Sequence, residues 1–310
     1  FPVLASNEKS FKFSKPNGKE LWSVLLEKAW AKVNGGYRNT IAGKESDALN
    51  ALTSFPSERY PTNEMLRDEL WDLVLQSDKS DNVMCTTTIN DPEIEKLGLV
   101  QLHAYTLVGA VTVIHQEKET KLVKVRNPWG NTEWTGLWSD KSDVWTDDLK
   151  TQAKFENRND GVFHISFDDY NKYYNYISIC AMMPDANIKH LSYKVSKSSH
   201  APRVYNISVR DECTLGISVI DRHWRFTREI KNQSIPIYIL LAKYEDNHIK
   251  FIDGDFCVNT SVDLIKFLKA GNYMLWVWND FDNSYNILND NQEKDIKVCF
   301  TSNSMFNVKE

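Results

Sequence analysis

Apolar residues recur at helical spacing in two stretches near the start of the chain. Between residues 19 and 33 they repeat every three or four positions, which places them on one face of a helix. Residues 34–36, Asn-Gly-Gly, end this helix because they tolerate positive φ. The polar segment 37–59 predicts a loop. A second amphipathic helix is predicted to begin at residues 61–64. Its expected buried side carries Leu66, Leu70, Leu73 and Val74.

An alternation of apolar and polar positions predicts strands in several other stretches before residue 186. Two of them flank a charged turn at 116–120, which predicts an antiparallel hairpin. The aromatic segment 168–176 predicts a short helix. The expected strands are 4–13, 83–87, 102–113, 121–126 and 161–167.

Beyond residue 186 helical periodicity disappears, and strand-like runs alternate with polar turns. This pattern is typical of an antiparallel β-sandwich. The predicted fold class is therefore α+β, followed by an all-β domain that begins near residue 186. The expected strands of this domain are 203–209, 215–220, 235–244, 273–278 and 295–300.

Composition narrows the possible partners. The 310 residues include 37 Lys and Arg against 42 Asp and Glu, a formal charge of −5 without a basic block. We therefore do not expect nucleic acid as a ligand, because phosphate neutralisation needs clustered cations. The longest apolar run, residues 235–242, is far shorter than the roughly 20 residues of a transmembrane helix. The chain begins Phe1-Pro2-Val3 with neither an initiator Met nor a signal peptide, and we expect it to be part of a longer protein.

The cysteines indicate a reducing compartment, and we expect a cytoplasmic protein. Their number is odd, no two are close in sequence, and no Cys or His spacing typical of zinc occurs. Each lies in or beside an apolar run, where a buried thiol is the usual explanation. They are Cys85, Cys180, Cys213, Cys257 and Cys299.

His103 and Asn127 are the first candidates for chemistry. They lie on the two sides of the predicted hairpin with their midpoint at residue 115, so we expect them to be nearly opposite, with Cβ atoms about 5 Å apart. A carboxamide at that distance can accept the imidazole N–H and fix its tautomer. Trp129 follows and could cover the pair. Spacing alone leaves open that His103 is a satisfied core residue and Asn127 a turn residue before Pro128.

Longer stretches around these residues resemble the calpain family of cysteine proteases. The resemblance covers residues 1 to about 185 well and continues weakly to 310. The matching segments are Leu21 to Ala29 with the pattern Leu-Trp-Ser-x-Leu-Leu-Glu-Lys-Ala, His103-Ala104-Tyr105, Arg126-Asn127-Pro128-Trp129-Gly130, Glu133-Trp134-Thr135-Gly136, Trp138-Ser139-Asp140 and Asp160-Gly161.

The resemblance implies a papain-like protease core followed by a calpain-type β-sandwich. Residues 1–45 would complete the first protease subdomain, 46–185 would form the second, and 186–310 would form the sandwich. In this family a thiolate attacks the peptide carbonyl, and an imidazolium protonates the leaving amine. His103 matches the catalytic histidine, Asn127 its orienting asparagine, and Trp129 the tryptophan beside the cleft. Leu102 departs from the family, which usually has Gly there.

The family's nucleophile has no counterpart in this sequence. It lies in a Gln-Gly-x-x-Gly-Asp-Cys-Trp segment at the start of a helix, and no such segment occurs here. Cys85 matches a core-strand cysteine of the family and is rejected as the nucleophile. The resemblance aligns Phe1 downstream of the catalytic cysteine, so we expect the chain alone to be inactive.

The resemblance also implies calcium, which prefers oxygen ligands at about 2.5 Å. Glu133, Asp140 and Asp160 match acidic ligands of one calcium site, with the backbone carbonyls of Arg158 and Val162. Glu20 matches an acidic ligand of a second site. Each acid alone could be a solvated surface residue. The segment Asp253-Gly254-Asp255 also invites a calcium reading, but we expect a hairpin turn there.

Two hypotheses follow from these residues. The first is a calcium-dependent cysteine endopeptidase that cleaves intracellular proteins. The second is a calpain-like scaffold that has lost catalysis, and the residues preceding Phe1 would distinguish the two. A third reading, a lipid-binding sandwich with unrelated N-terminal packing, leaves the His/Asn hairpin unexplained. Phospholipid contact through the sandwich of a protease is a further possibility, and a regulatory subunit is unknown.

Overall fold

The computed structural model describes residues 14, 19–196, 201–221, 235–258, 261–280 and 293–310. The expected strand 4–13 lies outside the described residues. The chain divides into two compact units, one formed by Glu45–Ala186 and the other by Asn187–Glu310 together with Phe1–Lys44. Mixed helices and antiparallel sheets agree with the α+β class.

The helices are short, and several are joined to strands without a long loop. Short 3₁₀ turns occur at Tyr37–Thr40, Thr62–Glu64 and Pro92–Leu97. The α-helices are α1 (Trp22–Val33), α2 (Glu45–Thr53), α3 (Arg67–Lys79), α4 (Asp147–Ala153) and α5 (Phe167–Tyr173). No helix within the described residues is long and apolar enough to cross a lipid bilayer.

One antiparallel sheet organises residues 45–186. Its strands are β1 (Ser57–Pro61), β2 (Val83–Thr88), β3 (Ala104–His115), β4 (Lys118–Arg126), β5 (Val162–Ser166) and β6 (Tyr174–Cys180). They lie in the order β1-β6-β2-β3-β4-β5, so the two strands that carry the candidate pair, β3 and β4, are neighbours.

Helix α3 supplies the core that fixes this sheet. Leu70, Trp71 and Val74 are at most 4 % exposed and pack with apolar residues of the sheet and of α5. Each fully buried side chain of this size contributes about 1.5–3 kcal/mol relative to exposure. A second, smaller cluster joins Val113 and Leu122 of the β3–β4 hairpin to Trp138, Trp145 and α4. The hairpin is therefore anchored by a core at both ends.

The β3–β4 hairpin turns at Gln116 and Glu117, which have φ of 50° and 63°. Two consecutive residues with positive φ suit the right-handed twist of the flanking strands. The pairing register shifts between Leu107 and Gly109, so Val108 is an extra residue in β3. Such a bulge bends the strand and changes which residues face each other near the open end.

Two antiparallel sheets form the all-β region. The strands are β7 (Asn187–Val195), β8 (Arg203–Val209), β9 (Cys213–Asp221), β10 (Ile237–Glu245), β11 (His248–Cys257), β12 (Ser261–Leu268), β13 (Gly271–Asn279), β14 (Lys294–Ser302) and β15 (Phe306–Lys309). One sheet has the order β11-β10-β13-β8-β15 and the other β12-β9-β14-β7. Inward residues of both sheets share one hydrophobic core, as in a β-sandwich.

Several expectations about elements were wrong. The segment 37–59 contains α2 and the start of β1 instead of a continuous loop. Leu66 precedes α3 and is 70 % exposed, so it does not belong to the buried side. The segment 168–176 changes from helix to strand at Tyr174. Asp253–Asp255 pair with Leu241–Ile239 inside β11, and the turn falls at Asp246 and Asn247 instead.

Helix α1 forms where its periodicity predicts, but most of its apolar residues are exposed. Trp22 is 64 %, Leu25 57 % and Val33 67 % exposed, whereas Val24 and Ala31 are buried. The periodic residues therefore indicate the helix correctly without indicating which face is buried.

Candidate active site

His103 and Asn127 are in direct contact. His103 precedes β3 and Asn127 follows β4, and the imidazole Nε2 lies 3.0 Å from the Asn127 Oδ1. Oδ1 also accepts the N–H of Trp129 at 3.1 Å, and Nδ2 donates to the Thr132 carbonyl at 3.0 Å. These two contacts fix which amide atom faces the ring, because oxygen can only accept. Nε2 must then carry the proton, which leaves the lone pair on Nδ1.

The two residues were expected to be nearly opposite, and the strand register makes them diagonal neighbours. The ladder pairs Thr106 with Arg126, so continuing it by one residue places Asn127 opposite Tyr105. His103 is two positions further along, on the same face of the sheet, which is a diagonal neighbour. The offset arises because the hairpin turns between Gln116 and Glu117 and not at residue 115. The bulge at Val108 shifts the ladder by one residue, so that Tyr105 and not Thr106 lies opposite Asn127.

The His103–Asn127 pair is buried on the side of Asn127 and accessible to solvent on the side of His103. Asn127 is fully buried, whereas His103 is half-buried. Burial lowers the pKa of His103, and the hydrogen bond to Asn127 partly offsets this effect. The Trp129 ring lies 4.5 Å from the imidazole and remains 59 % exposed, so it covers the ring while facing solvent itself. Tyr105 contacts the imidazole edge-on at 5.0 Å.

Backbone hydrogen bonds to Gly161 and Gly130 hold Asn127 in place. The Asn127 N–H donates to the Gly161 carbonyl at 2.8 Å, and the Gly130 N–H donates to the Asn127 carbonyl at 3.0 Å. Gly161 has φ of 84°, and a Cβ there would lie 2.6 Å from the Asn127 carbonyl oxygen. Glycine is thus required at 161 both by conformation and by space.

Acidic residues surround these backbone hydrogen bonds. The Glu133 Oε1 accepts the Gly161 N–H at 2.8 Å, and the Asp160 Oδ1 accepts the Val162 N–H at 3.0 Å. Glu133, Asp140 and Asn159 are among the residues that line a cavity of about 230 Å³. The acids expected from the sequence as calcium ligands therefore lie beside the loop that holds Asn127.

Asp140 is the unusual member of this group. Neither of its carboxylate oxygens is exposed, and among the described residues neither has a donor in full hydrogen-bond geometry. The Arg158 backbone approaches the carboxylate closely enough only to influence its pKa. Burial raises the pKa of Asp140 to about 6, and the negative charges of Glu133 and Asp160 add to the rise. The backbone of Arg158 and the charge of Lys124 oppose it. A buried acceptor without a donor is costly, which favours a cation at this position.

The donor chemistry fits calcium, but the ligands do not converge. Among the described residues, no three His, Cys, Asp or Glu side chains are grouped closely enough to hold a metal. Glu133 and Asp160 are turned toward backbone N–H groups, as described above. The Arg158 guanidinium contacts Glu156 at 3.3 Å, and Val162 pairs with Arg126 at the start of β5. Glu20 is exposed and accepts the Trp22 indole N–H at 3.3 Å. The ligand roles of all six residues, Glu133, Asp140, Asp160, Arg158, Val162 and Glu20, stay predictions.

Cys85 has the wrong environment for a nucleophile. Burial, followed by the charges of Glu45 and Cys180, raises the pKa of the Cys85 thiol to about 12. The thiol therefore stays protonated at neutral pH, whereas cysteine catalysis needs a thiolate. All five cysteines are free in the structure.

Residues that the sequence reasoning missed hold the pair in place. The Thr88 hydroxyl accepts the His103 N–H at 3.0 Å, and the Thr132 carbonyl orients the Asn127 amide. A threonine at the end of a strand carries no pattern that marks such a role, and a backbone carbonyl has no sequence signature at all.

Comparison with known proteins identifies the class. Residues 1–181, more than half of the chain, match the family described as calpain family cysteine protease. The chain belongs to this family.

The relatives are considerably longer than the chain. The calpain-1 catalytic subunit of Mus musculus is 36 % identical over 176 residues, which cover 54 % of this chain and 24 % of the relative. Calpain-9 of Mus musculus is 36 % identical over 175 residues, covering 54 % and 25 %. The aligned part thus spans about a quarter of the length of these relatives.

Among solved structures, the pre-peptidase C-terminal domain of a Bacillus anthracis collagenase is 15 % identical. It covers 36 % of this chain and 87 % of its own, with a TM-score of 0.26. A similarity this low carries no structural argument.

Proposed function

We propose that this chain supplies the histidine–asparagine part of a calcium-dependent cysteine endopeptidase. The observation that carries the proposal is the hydrogen bond between the His103 Nε2 and the Asn127 Oδ1. It leaves the His103 Nδ1 as the basic nitrogen of a ring that is in contact with Trp129. A thiolate beside Nδ1 would form the ion pair that cysteine proteases use.

Each member of the pair has a separable role in this mechanism. His103 takes the thiol proton at Nδ1 and later donates it to the leaving amine of the cleaved peptide. Asn127 keeps the proton on Nε2 and orients the ring without accepting that proton. The low pKa of His103 in the chain reflects burial without an anionic partner. An adjacent thiolate would raise this pKa, because opposite charges stabilise each other.

The nucleophile is proposed to come from outside this sequence. Cys85 is excluded by its raised pKa, and the sequence contains no Gly-Asp-Cys-Trp segment. We therefore expect the chain by itself to be inactive. The substrates would be exposed, extended segments of proteins, and a reducing intracellular compartment would keep the thiol active.

The test uses the parent protein that contains a cysteine-bearing segment before Phe1. We expect calcium-dependent cleavage of a fluorogenic peptide, and we expect His103→Ala to abolish it. Asn127→Ala should lower kcat and change KM little, because the imidazole loses its orientation. A parent that folds and binds calcium but cleaves nothing would instead support the scaffold function.

Calcium is proposed to bind Glu133, Asp140 and Asp160 with the carbonyls of Arg158 and Val162. When bound, the ion would supply positive charge that neutralises these acids and draws their loops together. Glu133 bonds to Gly161, and Gly161 bonds to Asn127, so these residues link the acids to the pair. The unpartnered oxygens of Asp140 support the proposal.

Calcium binding can be measured on the chain itself. Isothermal titration should give binding heats that Asp160→Ala reduces strongly, whereas Asp143→Ala, a nearby exposed acid, should leave them unchanged. Equal heats for wild type and Asp160→Ala would contradict the assignment. The phospholipid contact of the sandwich stays a prediction.

A further inference from the structure

One buried hydroxyl closes the loop that carries His103. Thr88 ends β2 and is fully buried. Its Oγ1 accepts the His103 N–H at 3.0 Å and donates to the Val100 carbonyl at 2.6 Å. The Thr88 N–H in turn donates to the His103 carbonyl at 3.2 Å. Both backbone polar groups of His103 are thus bonded to a single residue.

A second hydroxyl holds the other end of this loop. The Tyr105 hydroxyl accepts the Val100 N–H at 2.9 Å, so the N–H and the carbonyl of Val100 are both held by side chains. Tyr105 is 1 % exposed, and its ring also contacts the imidazole. Thr88 and Tyr105 therefore restrain the segment 100–103 from the side of the core.

The restraint opposes a strained backbone. Leu102 has φ of 48°, a left-handed conformation that is unfavourable for a residue with a Cβ. Its side chain is 62 % exposed, so packing contributes little to hold it there. Its N–H donates to the Ile89 carbonyl at a long 3.3 Å. Without the bonds to Thr88, the loop would relax and carry His103 away from Asn127.

We propose that Thr88 is a positioning residue of the histidine–asparagine pair: its hydroxyl holds the strained loop that brings the His103 Nε2 to Asn127. The effect of Thr88 on catalysis rests on the proposed function. The positioning of His103 by Thr88 does not, because the hydrogen bond between His103 and Asn127 can be observed without turnover.

Thr86 provides a matched control on the same strand. It is also a buried threonine, and its hydroxyl donates to the Tyr176 carbonyl at 2.9 Å and lies 3.0 Å from the Tyr170 hydroxyl. Thr86→Val therefore removes a buried, bonded hydroxyl two residues away without touching segment 100–103. Thr86→Val and Thr88→Val are expected to lower the urea midpoint of unfolding by similar amounts, because each removes one buried, bonded hydroxyl.

The experiment measures the His103 tautomer in the full chain by ¹⁵N NMR, with the signals assigned by a His103→Gln variant. Wild type should show a single tautomer protonated at Nε2. Thr88→Val should show signals averaged between both tautomers and a titration midpoint moved toward that of an exposed histidine. Thr88→Ser, which keeps the hydroxyl, and Thr86→Val should both keep the wild-type signals.

Two results would overturn the proposal: a wild-type spectrum in Thr88→Val, or the same averaging in Thr86→Val. If Thr88→Val does not fold, Tyr105→Phe removes the other hydroxyl of the loop and should produce partial averaging, and an unchanged spectrum there counts against it. In an active parent, Thr88→Val should lower kcat about 100-fold with KM little changed. An inactive parent with the NMR response intact would refute the protease and leave the positioning role.

Discussion

Asp140 is a charged side chain whose surroundings favour its neutral form. Its carboxylate oxygens are buried and meet no described donor in full hydrogen-bond geometry. Burial raises the pKa of Asp140 to about 6, and the charges of Glu133 and Asp160 add to this rise. At pH 7 the group is ionised in both the folded and unfolded chain, so the folded state carries the cost. A bound cation would offset this unfavourable electrostatic free energy.

We predict that Asp140→Asn stabilises the calcium-free chain at pH 7. The expected gain in unfolding free energy is about 1–3 kcal/mol, reduced by solvent screening because Asp140 is not fully buried. Urea denaturation in the presence of a chelator measures it. Asp143→Asn, at an exposed neighbouring acid, should change stability by less than about 0.5 kcal/mol.

Adding calcium should make the wild type more stable than Asp140→Asn, the reverse of their order in chelator. The wild type should gain stability with rising calcium, since a ligand that binds only the folded state stabilises it. Asp140→Asn should gain much less. A destabilised Asp140→Asn in chelator would show that the carboxylate makes favourable contacts in the folded state.

At the residue scale, the sequence predicted the chemistry better than the geometry that supports it. The segments around His103 and Asn127 sufficed to expect a contact, because hairpin geometry brings strand ends together. Thr132 was missed because its contribution comes from its backbone carbonyl, which accepts the hydrogen bond of the Asn127 amide. Thr132 has a left-handed conformation with φ of 59°. Conformations of that kind depend on tertiary contacts and leave no trace in a hydrophobic pattern.

The β4–β5 pair contains the clearest source of pH dependence among the elements. His164 in β5 pairs with Lys124 in β4 and is 2 % exposed. Among the described residues, neither ring nitrogen has a partner in full hydrogen-bond geometry. Burial lowers the pKa of His164 to about 4, the Lys124 charge adds to this, and the backbone of Ala153 opposes it. Trp145 and Phe155 surround the ring.

This pair predicts a loss of stability between pH 6.5 and 4. Below pH 6.5 the unfolded chain binds a proton on this histidine that the folded chain does not, so the unfolding free energy falls as the pH falls. The decrease reaches about 3 kcal/mol near pH 4. Asp140 contributes with the opposite sign below about pH 6, because its folded pKa is raised.

The measurement therefore uses the Asp140→Asn background, which removes the opposing titration. Urea denaturation from pH 7 to 4 should show the decrease, and adding His164→Phe should flatten the curve. Identical pH curves with and without His164→Phe would mean that the imidazole has the same pKa in the folded and the unfolded chain.

At the element scale, hydrophobic periodicity located strongly amphipathic elements and missed polar ones. Helix α2 was taken for a loop because its buried residues, Ser46 and Asn50, are polar. The Asn50 amide donates to the Phe55 carbonyl at 3.0 Å, which satisfies it inside the unit. Strand β11 was missed because it lies at a sheet edge and is exposed along most of its length.

The described residues form two main hydrophobic cores that share none of these residues. One is formed by α3, α5 and strands of the first sheet, and the other by the two sheets of the sandwich. Leu70 and Leu275 are fully buried leucines, one in each core. They offer a matched pair of substitutions.

We predict that Leu70→Ala and Leu275→Ala each destabilise one core by about 2–5 kcal/mol. Hydrogen exchange should show faster amide exchange in β3 and β4 for Leu70→Ala, and in β8 and β10 for Leu275→Ala. Each variant should leave the other region unchanged. Equal acceleration throughout the chain in either variant would indicate a single cooperative unit instead.

At the scale of the whole chain, the sequence indicated the classes of architecture but not the arrangement of strands. Frequent short strands after residue 186 predicted a sandwich, because such strands bury one face only. The order β11-β10-β13-β8-β15 joins strands distant in sequence. Pairings of that kind are decided by core packing across both sheets, which local patterns do not encode.

The position of Trp129 gives the pair an optical readout. Its indole lies 4.5 Å from the imidazole of His103, a separation at which a protonated imidazole quenches indole emission by accepting an electron. Protonation of His103 should therefore lower the fluorescence of Trp129, one of the ten tryptophans of the chain. The difference between wild type and Trp129→Phe isolates that signal. The charge state of the histidine can in this way be followed by fluorescence, without label or substrate.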